Sequence, residues 1–342
     1  MKNKTEKCAG ANYEIGNFRP EDAEGVVSLF REVYGEGYPI RLFYNPDDII
    51  KANRDGAYYT GVARAGGKIV GVCHLCCSAP WKSLYESCAG LVLKEHRNAG
   101  IIKEIMSYQF EEFVPQMPGI EEVFGEPVCN HPYMQQLVAS MSVVETGIEI
   151  CLMPAAAYDK EKSASGRVAT TIVFRCYRPR MHRVYLPGAY ERNCRAIYSR
   201  LGYEREILVS GEKIPADKKT RAEMTVFEFA GVARIAVHEI GADFSKRISC
   251  LEKDALLKNV EVIQVWIDIT APWAGEAVEE LRRRGFFFGG VLPRWFDGDG
   301  MLMQKLFCPP SFESIVLVSD WSRELLEVIR EDWKRAGGAA CK

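Results

Sequence analysis

The sequence predicts a mixed α/β fold, in which helices pack on a mixed sheet and the chain forms two lobes. The first observation is that short apolar runs with strand periodicity alternate with segments in which apolar residues recur every three or four positions. The second is that the order of these segments is similar in the two halves of the chain. The third is the length of 342 residues, which suits two domains of about 150 residues each.

The first half begins with an alternating strand over residues 13–19. Pro20, Glu21 and Asp22 follow, and a proline with acidic residues at this point is typical of a helix start. We expect this single helix to precede a meander of three strands. The other elements expected in this half are strands 57–63, 68–77 and 86–94, a helix 99–114, a strand 121–126, a helix 132–141 and a strand 143–153.

A linker is expected over residues 155–166, because this stretch is rich in Ala, Ser and charged residues and lacks periodic apolar positions. It divides the chain into expected domains 1–154 and 167–342. The elements expected in the second domain are strands 168–177, 224–229, 233–239, 260–269, 286–291 and 301–307, with helices 190–201, 244–257, 272–284 and 320–334.

The composition excludes several classes of protein. Hydrophobic residues make up 47% and charged residues 26%, which are values of a globular rather than a disordered chain. Lys and Arg number 44 against 46 Asp and Glu, so the basic excess of a general nucleic-acid binder is absent. No apolar run approaches the ~20 residues that span a bilayer, and no membrane partner is expected. The polar start, residues 1–7, lacks the apolar core of a signal peptide, so we expect a cytoplasmic location.

Twelve cysteines are too few for a disulfide scaffold in a chain of this length, and we expect them to be reduced. Cys73 and Cys76 have C-x-x-C spacing, but no second such pair follows. They also lie in a strand-like run, whose alternate residues face opposite sides. We therefore expect no metal.

The most informative stretch runs from a strand through a turn with a glycine into a helix. Such a turn directs backbone N–H groups at one point, beside the positive end of the helix dipole, and it can hold a pyrophosphate. An ordinary surface turn is the alternative interpretation. The residues expected to bind are Leu91, Val92 and Leu93 in the strand, then Arg97, Asn98, Ala99, Gly100, Ile101 and Ile102 in the turn and helix start.

Residues 97–102 resemble the acetyl-coenzyme A signature [RQ]-x-x-G-x-[GA] of the GNAT N-acetyltransferase superfamily. Arg97 and Gly100 match the signature, whereas Ile102 stands where the family has Gly or Ala. The opening around residues 18–23 and the strand–helix–strand ending around residues 121–153 are also typical of the family. The resemblance covers about residues 13–154. It implies a GNAT domain that binds acetyl-coenzyme A or another acyl-coenzyme A.

The second half resembles the same fold in a degenerate form, on residues 262–268, 277–284 and 285–290. It has no second signature, so a second coenzyme site is not expected. Residues 130–137 and 182–187 also resemble, more weakly, acetyltransferase-like proteins joined to ATP-binding kinase domains of the anti-sigma-factor type. That resemblance implies a protein partner in signalling.

The family resemblance implies N-acyl transfer from the thioester to an amine of a small molecule or protein, in one ternary complex. Backbone N–H groups around residues 91–93 would polarise the thioester carbonyl. The family's usual tyrosine acid, about seven residues beyond an asparagine, is replaced here by Leu137. The nearby candidates for proton transfer are Glu126, His131 and Tyr133, while His131 could instead cap a helix.

Two other functions stay open at this point. One is a non-catalytic regulatory protein that senses acyl-coenzyme A, favoured by Ile102 and by the missing acid. The other is a structural protein that keeps the fold and binds no coenzyme.

Overall fold

The computed structural model describes residues 13–155 and 166–338. The described residues fall into two compact units, which divide between Gly125 and Glu126. The boundary expected after Pro154 therefore falls within the second unit, and most of the expected linker, residues 156–165, lies outside the described residues. No helix of the described part is both long and apolar enough to cross a membrane.

The first unit contains a five-stranded sheet in the order β1-β2-β3-β4-β5, in which only β4 and β5 are parallel. Its strands are β1 (Glu14–Asn17), β2 (Tyr58–Ala65), β3 (Lys68–Cys76), β4 (Leu84–Val92) and β5 (Glu122–Gly125). Its helices are α1 (Ala23–Tyr34), α2 (Pro46–Arg54), α3 (Ile101–Ser107) and α4 (Val114–Gln116), with a π-helical segment, Tyr108–Phe113, between the last two.

Two helices precede the meander of this unit, so the expectation of a single helix is wrong. The start of α2 has a clear local cause. The Asn45 side chain accepts a hydrogen bond from the Asp47 N–H, and Pro46 occupies the first helical turn. Ile49 and Ala52 are the buried positions of this helix.

The second unit contains a seven-stranded sheet in the order β7-β6-β13-β14-β12-β11-β10, and a separate parallel pair β8-β9. Its strands are β6 (Val144–Met153), β7 (Val168–Cys176), β8 (Arg183–Pro187), β9 (Glu206–Ser210), β10 (Arg221–Phe227), β11 (Val232–Glu239), β12 (Val262–Asp268), β13 (Phe287–Leu292) and β14 (Gly300–Leu306). Its helices are α5 (Tyr133–Ala139), α6 (Glu191–Tyr198), α7 (Phe244–Leu256), α8 (Ala274–Arg283) and α9 (Asp320–Arg335). The sequence prediction lacked β8 and β9.

One succession of elements occurs twice along the chain. A strand and a helix lead to a second strand parallel to the first, and a further helix leads to an antiparallel hairpin. The first occurrence is β4, α3, β5, α5 and β6/β7, and the second is β11, α7, β12, α8 and β13/β14. The predicted mixed α/β class is thus confirmed. The first hairpin closes with β7, which lies beyond the expected linker.

Candidate functional site

The turn that follows β4 has the backbone conformation expected of an anion-binding loop. Asn98 and Gly100 adopt left-handed conformations, with φ of 65° and 78°, and Gly100 caps the start of α3. Apart from its chain neighbours, no heavy atom of the described residues lies within 4 Å of an ideal Cβ on Gly100. The N–H groups of the first turn of α3 lack intrahelical acceptors, so they can donate to an anion in this open space.

Positive charge surrounds the turn. Lys94, Arg97 and Lys103 are exposed. The Arg97 guanidinium lies close to the end of β4, where its Nε donates to the Val92 carbonyl at 3.4 Å. This arrangement can bind a polyanion such as a pyrophosphate.

Tyr13, the residue before β1, fixes the turn, a role that the sequence did not reveal. Its side chain is buried, and its hydroxyl donates to the Ala99 carbonyl at 2.8 Å. The same hydroxyl lies 3.5 Å from a carboxylate oxygen of Glu104 on α3. One side chain therefore ties the turn to the helix that it begins.

A β-bulge interrupts β4 before the turn. Val72 pairs with Leu91 and His74 pairs with Cys88, so Ala89 and Gly90 together face Cys73. Ala89 has a φ of 48°, which is uncommon for a residue with a side chain. Bulges take backbone groups out of the regular ladder and are frequent beside active sites.

The bulge thus disturbs the ladder of β4 at residues 89–90, next to the residues 91–93 that were expected to offer N–H groups. Leu93 donates its N–H to the Val70 carbonyl at 2.9 Å, and Val92 and Leu91 pair with β3. The Ala-Gly dipeptide within a strand was the available sequence signal for the bulge.

Strands β4 and β5 separate just before the bulge. Their last pairing joins Glu86 to Phe124, and β4 continues to Val92. In the second unit, β11 and β12 remain paired over six successive residues, from Val232 with Val262 to Val237 with Ile267. The pairing of β4 with β5 therefore ends well before the end of β4, whereas that of β11 with β12 continues almost to the end of both strands.

The turn of the second unit that corresponds in chain order is filled by the chain itself. An ideal Cβ on Gly241 would lie 2.3 Å from the Lys219 carbonyl carbon. Gly241 donates its N–H to the Thr220 hydroxyl, and Ala242 donates to the Lys218 carbonyl. The N–H groups of Gly241 and Ala242 are therefore already satisfied, and the segment around Lys219 occupies the space beside Gly241.

Glu126 takes part in a buried network of the second unit. Arg234 Nη2 lies 3.1 and 3.2 Å from its two carboxylate oxygens and 2.9 Å from Oε1 of Glu149. Glu149 is fully buried and also accepts from Thr170 and Gln264. Burial, together with the charge of Glu126, raises the pKa of Glu149 to about 7, although Arg234 opposes the shift.

His131 and Tyr133 lie at the start of α5, with ring centroids 5.2 Å apart. His131 does not cap this helix, because Pro132 occupies the N-cap position without a side-chain bond. The His131 Nδ1 atom is buried and has no hydrogen-bond partner within the described part of the chain. Tyr133 is 71% exposed. These two residues and Glu126 belong to the second unit, whereas the turn of residues 97–102 belongs to the first.

Comparison with known proteins gives structural neighbours only, since no family model and no curated protein matches. Mutant forms of the spermidine/spermine N-acetyltransferase SpeG from Vibrio cholerae match with 14% identity and a TM-score of 0.38, over 48% of this chain and 95% of that chain. An N-acetyltransferase from Staphylococcus aureus Mu50 matches with 12% identity and a TM-score of 0.39, over 49% and 100%. A GNAT-family acetyltransferase from Streptococcus pneumoniae matches with 13% identity and a TM-score of 0.40, over 48% and 99%. At these values the likenesses carry no argument about activity.

Proposed function

We propose that the first unit binds an acyl-coenzyme A and that the protein transfers the acyl group to an amine. The observation that carries the proposal is the open, positively charged turn at Gly100, behind a strand interrupted by a bulge. Its counterpart at Gly241 is closed by the chain itself, so the open turn is not a general feature of this succession of elements.

The residues of the turn suit the pyrophosphate of coenzyme A. The N–H groups at the start of α3 lie at the positive end of the helix dipole, and Arg97 adds a full positive charge. Ile102, which stands where the GNAT signature has a small residue, packs against Gly90: a Cβ on Gly90 would lie 2.9 Å from the Ile102 Cδ1 atom. Its bulk is therefore accommodated at the strand and need not occupy the turn.

The acyl-coenzyme A would supply an acyl group activated as a thioester. The backbone of β4 beyond its last pairing with β5, from the bulge at Ala89 and Gly90 to Val92, would offer N–H groups to the thioester carbonyl. The acceptor amine must lose a proton before it can attack.

For that proton transfer we propose His131 in preference to Glu126. Both carboxylate oxygens of Glu126 accept hydrogen bonds from Arg234, so an amine would have to compete with this guanidinium for them. His131 retains a ring nitrogen without a partner among the described residues. Tyr133 stays the candidate for protonation of the leaving thiolate.

The second unit, in this proposal, is a degenerate copy that has lost its own coenzyme site. Its closed strand pair and its filled turn support that role. The substrates are an acyl-coenzyme A and an amine of a small molecule or a protein, and a protein partner in signalling is part of the proposal.

The test is a turnover assay with acetyl-coenzyme A and a panel that includes polyamines, amino acids and amine-bearing peptides. Twelve cysteines would react with a thiol reagent, so released coenzyme A should be separated by chromatography. We expect turnover with at least one amine, a large loss in His131→Asn and a smaller one in Tyr133→Phe. Coenzyme binding without turnover would favour a sensor, and no binding at all would contradict the proposal.

A further inference from the structure

Three potential metal ligands come together on strands β3 and β4, away from the turn. The Cys76 and Cys88 Sγ atoms are 2.8 Å apart, and the Cys76 Sγ atom lies 3.8 Å from Oε2 of Glu86. One ligand atom from each of the three residues lies within 4.8 Å of the others. Cys76 is buried, whereas Glu86 and Cys88 are half-buried.

The alternation of the strands explains why these residues meet. Cys76 pairs with Glu86 and His74 pairs with Cys88, so residues 74, 76, 86 and 88 share one face of the sheet. Cys73 lies on the other face, where its sulfur contacts the Ser87 hydroxyl at 3.8 Å. The C-x-x-C pair in the sequence is therefore split between two faces, as expected, and a different cysteine joins Cys76.

We propose that Cys76, Glu86 and Cys88 bind a zinc ion, or a similar divalent cation, with a fourth position open to water. Two thiolates and one carboxylate on a half-buried surface form a ligand set that suits zinc. Two thiolates at about 2.3 Å from one tetrahedral ion lie roughly 3.8 Å apart. Binding thus requires the two sulfur atoms to separate by roughly 1 Å, and it releases the two thiol protons.

A disulfide between Cys76 and Cys88 fits less well. The two residues are diagonal neighbours across antiparallel strands, and such pairs typically have Cβ atoms about 7 Å apart or somewhat less. A disulfide needs a Cβ separation of about 3.8 Å. It would also leave Glu86 without a role in the cluster.

Cobalt titration of the full chain, prepared with reductant and stripped of metal, tests this site independently of the acyltransfer proposal. We expect about one equivalent of Co²⁺ to produce a sulfur-to-cobalt charge-transfer band, and Zn²⁺ to abolish it by displacement. Cys88→Ala should lose the band, and Glu86→Gln should weaken cobalt binding at least tenfold. Cys73→Ala, which removes a buried thiol from the opposite face, is the matched control and should keep the band.

The absence of a band in the parent protein overturns the site, as does a band that persists in Cys88→Ala. A Cys76–Cys88 disulfide that forms in the presence of stoichiometric zinc, identified by peptide mass spectrometry, also overturns it. Circular dichroism establishes whether Cys88→Ala is folded. If Cys88→Ala is not folded, the affinity of Glu86→Gln for Co²⁺ is the deciding measurement. An affinity equal to that of the parent protein rejects the proposal.

Discussion

Ile102 of α3 packs against Gly90 of β4, so closely that a Cβ atom on residue 90 would lie 2.9 Å from the Ile102 Cδ1 atom. The two residues lie on opposite sides of the candidate coenzyme turn in the sequence. The absence of a side chain at position 90 makes room for a large one at position 102. A departure from the family signature is thus matched by a glycine in the adjacent strand.

This packing predicts energetic coupling between positions 90 and 102. Gly90→Ala should lower the free energy of unfolding by about 1 kcal/mol, because the added methyl group displaces Ile102. When Ile102→Ala is already present, Gly90→Ala should lower the free energy of unfolding by less. The difference between the two effects, which is the coupling energy, should be about 1 kcal/mol. Urea unfolding of the four proteins measures this, and strictly additive effects would contradict the packing.

Tyr13 should affect coenzyme binding although it lies far from the turn in the sequence, just before β1. Tyr13→Phe removes the hydrogen bond to the Ala99 carbonyl, and we expect the Kd for acetyl-coenzyme A to rise roughly fivefold, or about 1 kcal/mol. Tyr85→Phe is the matched control, since the Tyr85 hydroxyl also donates to a carbonyl, that of Gly56, at 2.8 Å. An equal effect of both variants on Kd would show that Tyr13 acts only through general stability.

The Arg234 network should be sensitive to loss of its cation. Arg234→Met leaves the buried Glu149 without its charged partner, so we expect the free energy of unfolding to fall by about 3 kcal/mol. Adding Glu149→Gln to this variant removes the unpaired carboxylate, so it should restore part of the lost free energy of unfolding. Arg183→Met, which breaks the exposed pair with Glu206, should have no measurable effect. Thermal or urea unfolding that shows no recovery in the double variant would contradict this explanation.

The ion pair of His182 with buried Asp299 predicts a pH dependence of stability. Burial lowers the pKa of His182, but its hydrogen bond to Asp299 at 2.8 Å and the charge of that carboxylate more than offset this, and the pKa is raised above 6.5. Because the pKa of His182 is raised in the folded state, its ion pair with Asp299 contributes fully to the free energy of unfolding below pH 6.5. This contribution is lost as the pH rises through the raised pKa.

His182→Gln should therefore be less stable than the parent protein at pH 6, and the difference should shrink as the pH rises through the raised pKa. Urea unfolding at a series of pH values measures this difference. A difference that stays constant, or grows with pH, would exclude a charged His182 as its source.

The sequence was most informative where the cause of structure is local. The apolar periodicity after Gly100 predicted α3, and the alternation around Cys73 and Cys76 predicted that the two thiols face opposite sides. The start of α2 also has local signals in Asn45 and Pro46, although no apolar periodicity before residue 57 led us to expect a second helix.

What the sequence did not reveal depends on contacts between distant segments. The bulge at Ala89 and Gly90 is defined only by its register against β3. Cys88 approaches Cys76 only because β3 and β4 pair. The ion pair of Arg234 with Glu126 likewise joins segments that are far apart in the chain. Neither leaves a periodic pattern in one sequence.

The most direct test of the central claim is calorimetric titration of the full chain with acetyl-coenzyme A, beside the variants Gly100→Glu and Gly67→Glu. Gly67 is a matched control, because it has a φ of 79° against 78° for Gly100, and its ideal Cβ is equally free of contacts within the described structure. Both variants therefore introduce the same side chain with similar backbone strain. We predict micromolar binding by the parent protein and by Gly67→Glu, and loss of binding in Gly100→Glu. Absence of binding by the parent protein, or equal binding by both variants, would contradict a coenzyme site at this turn.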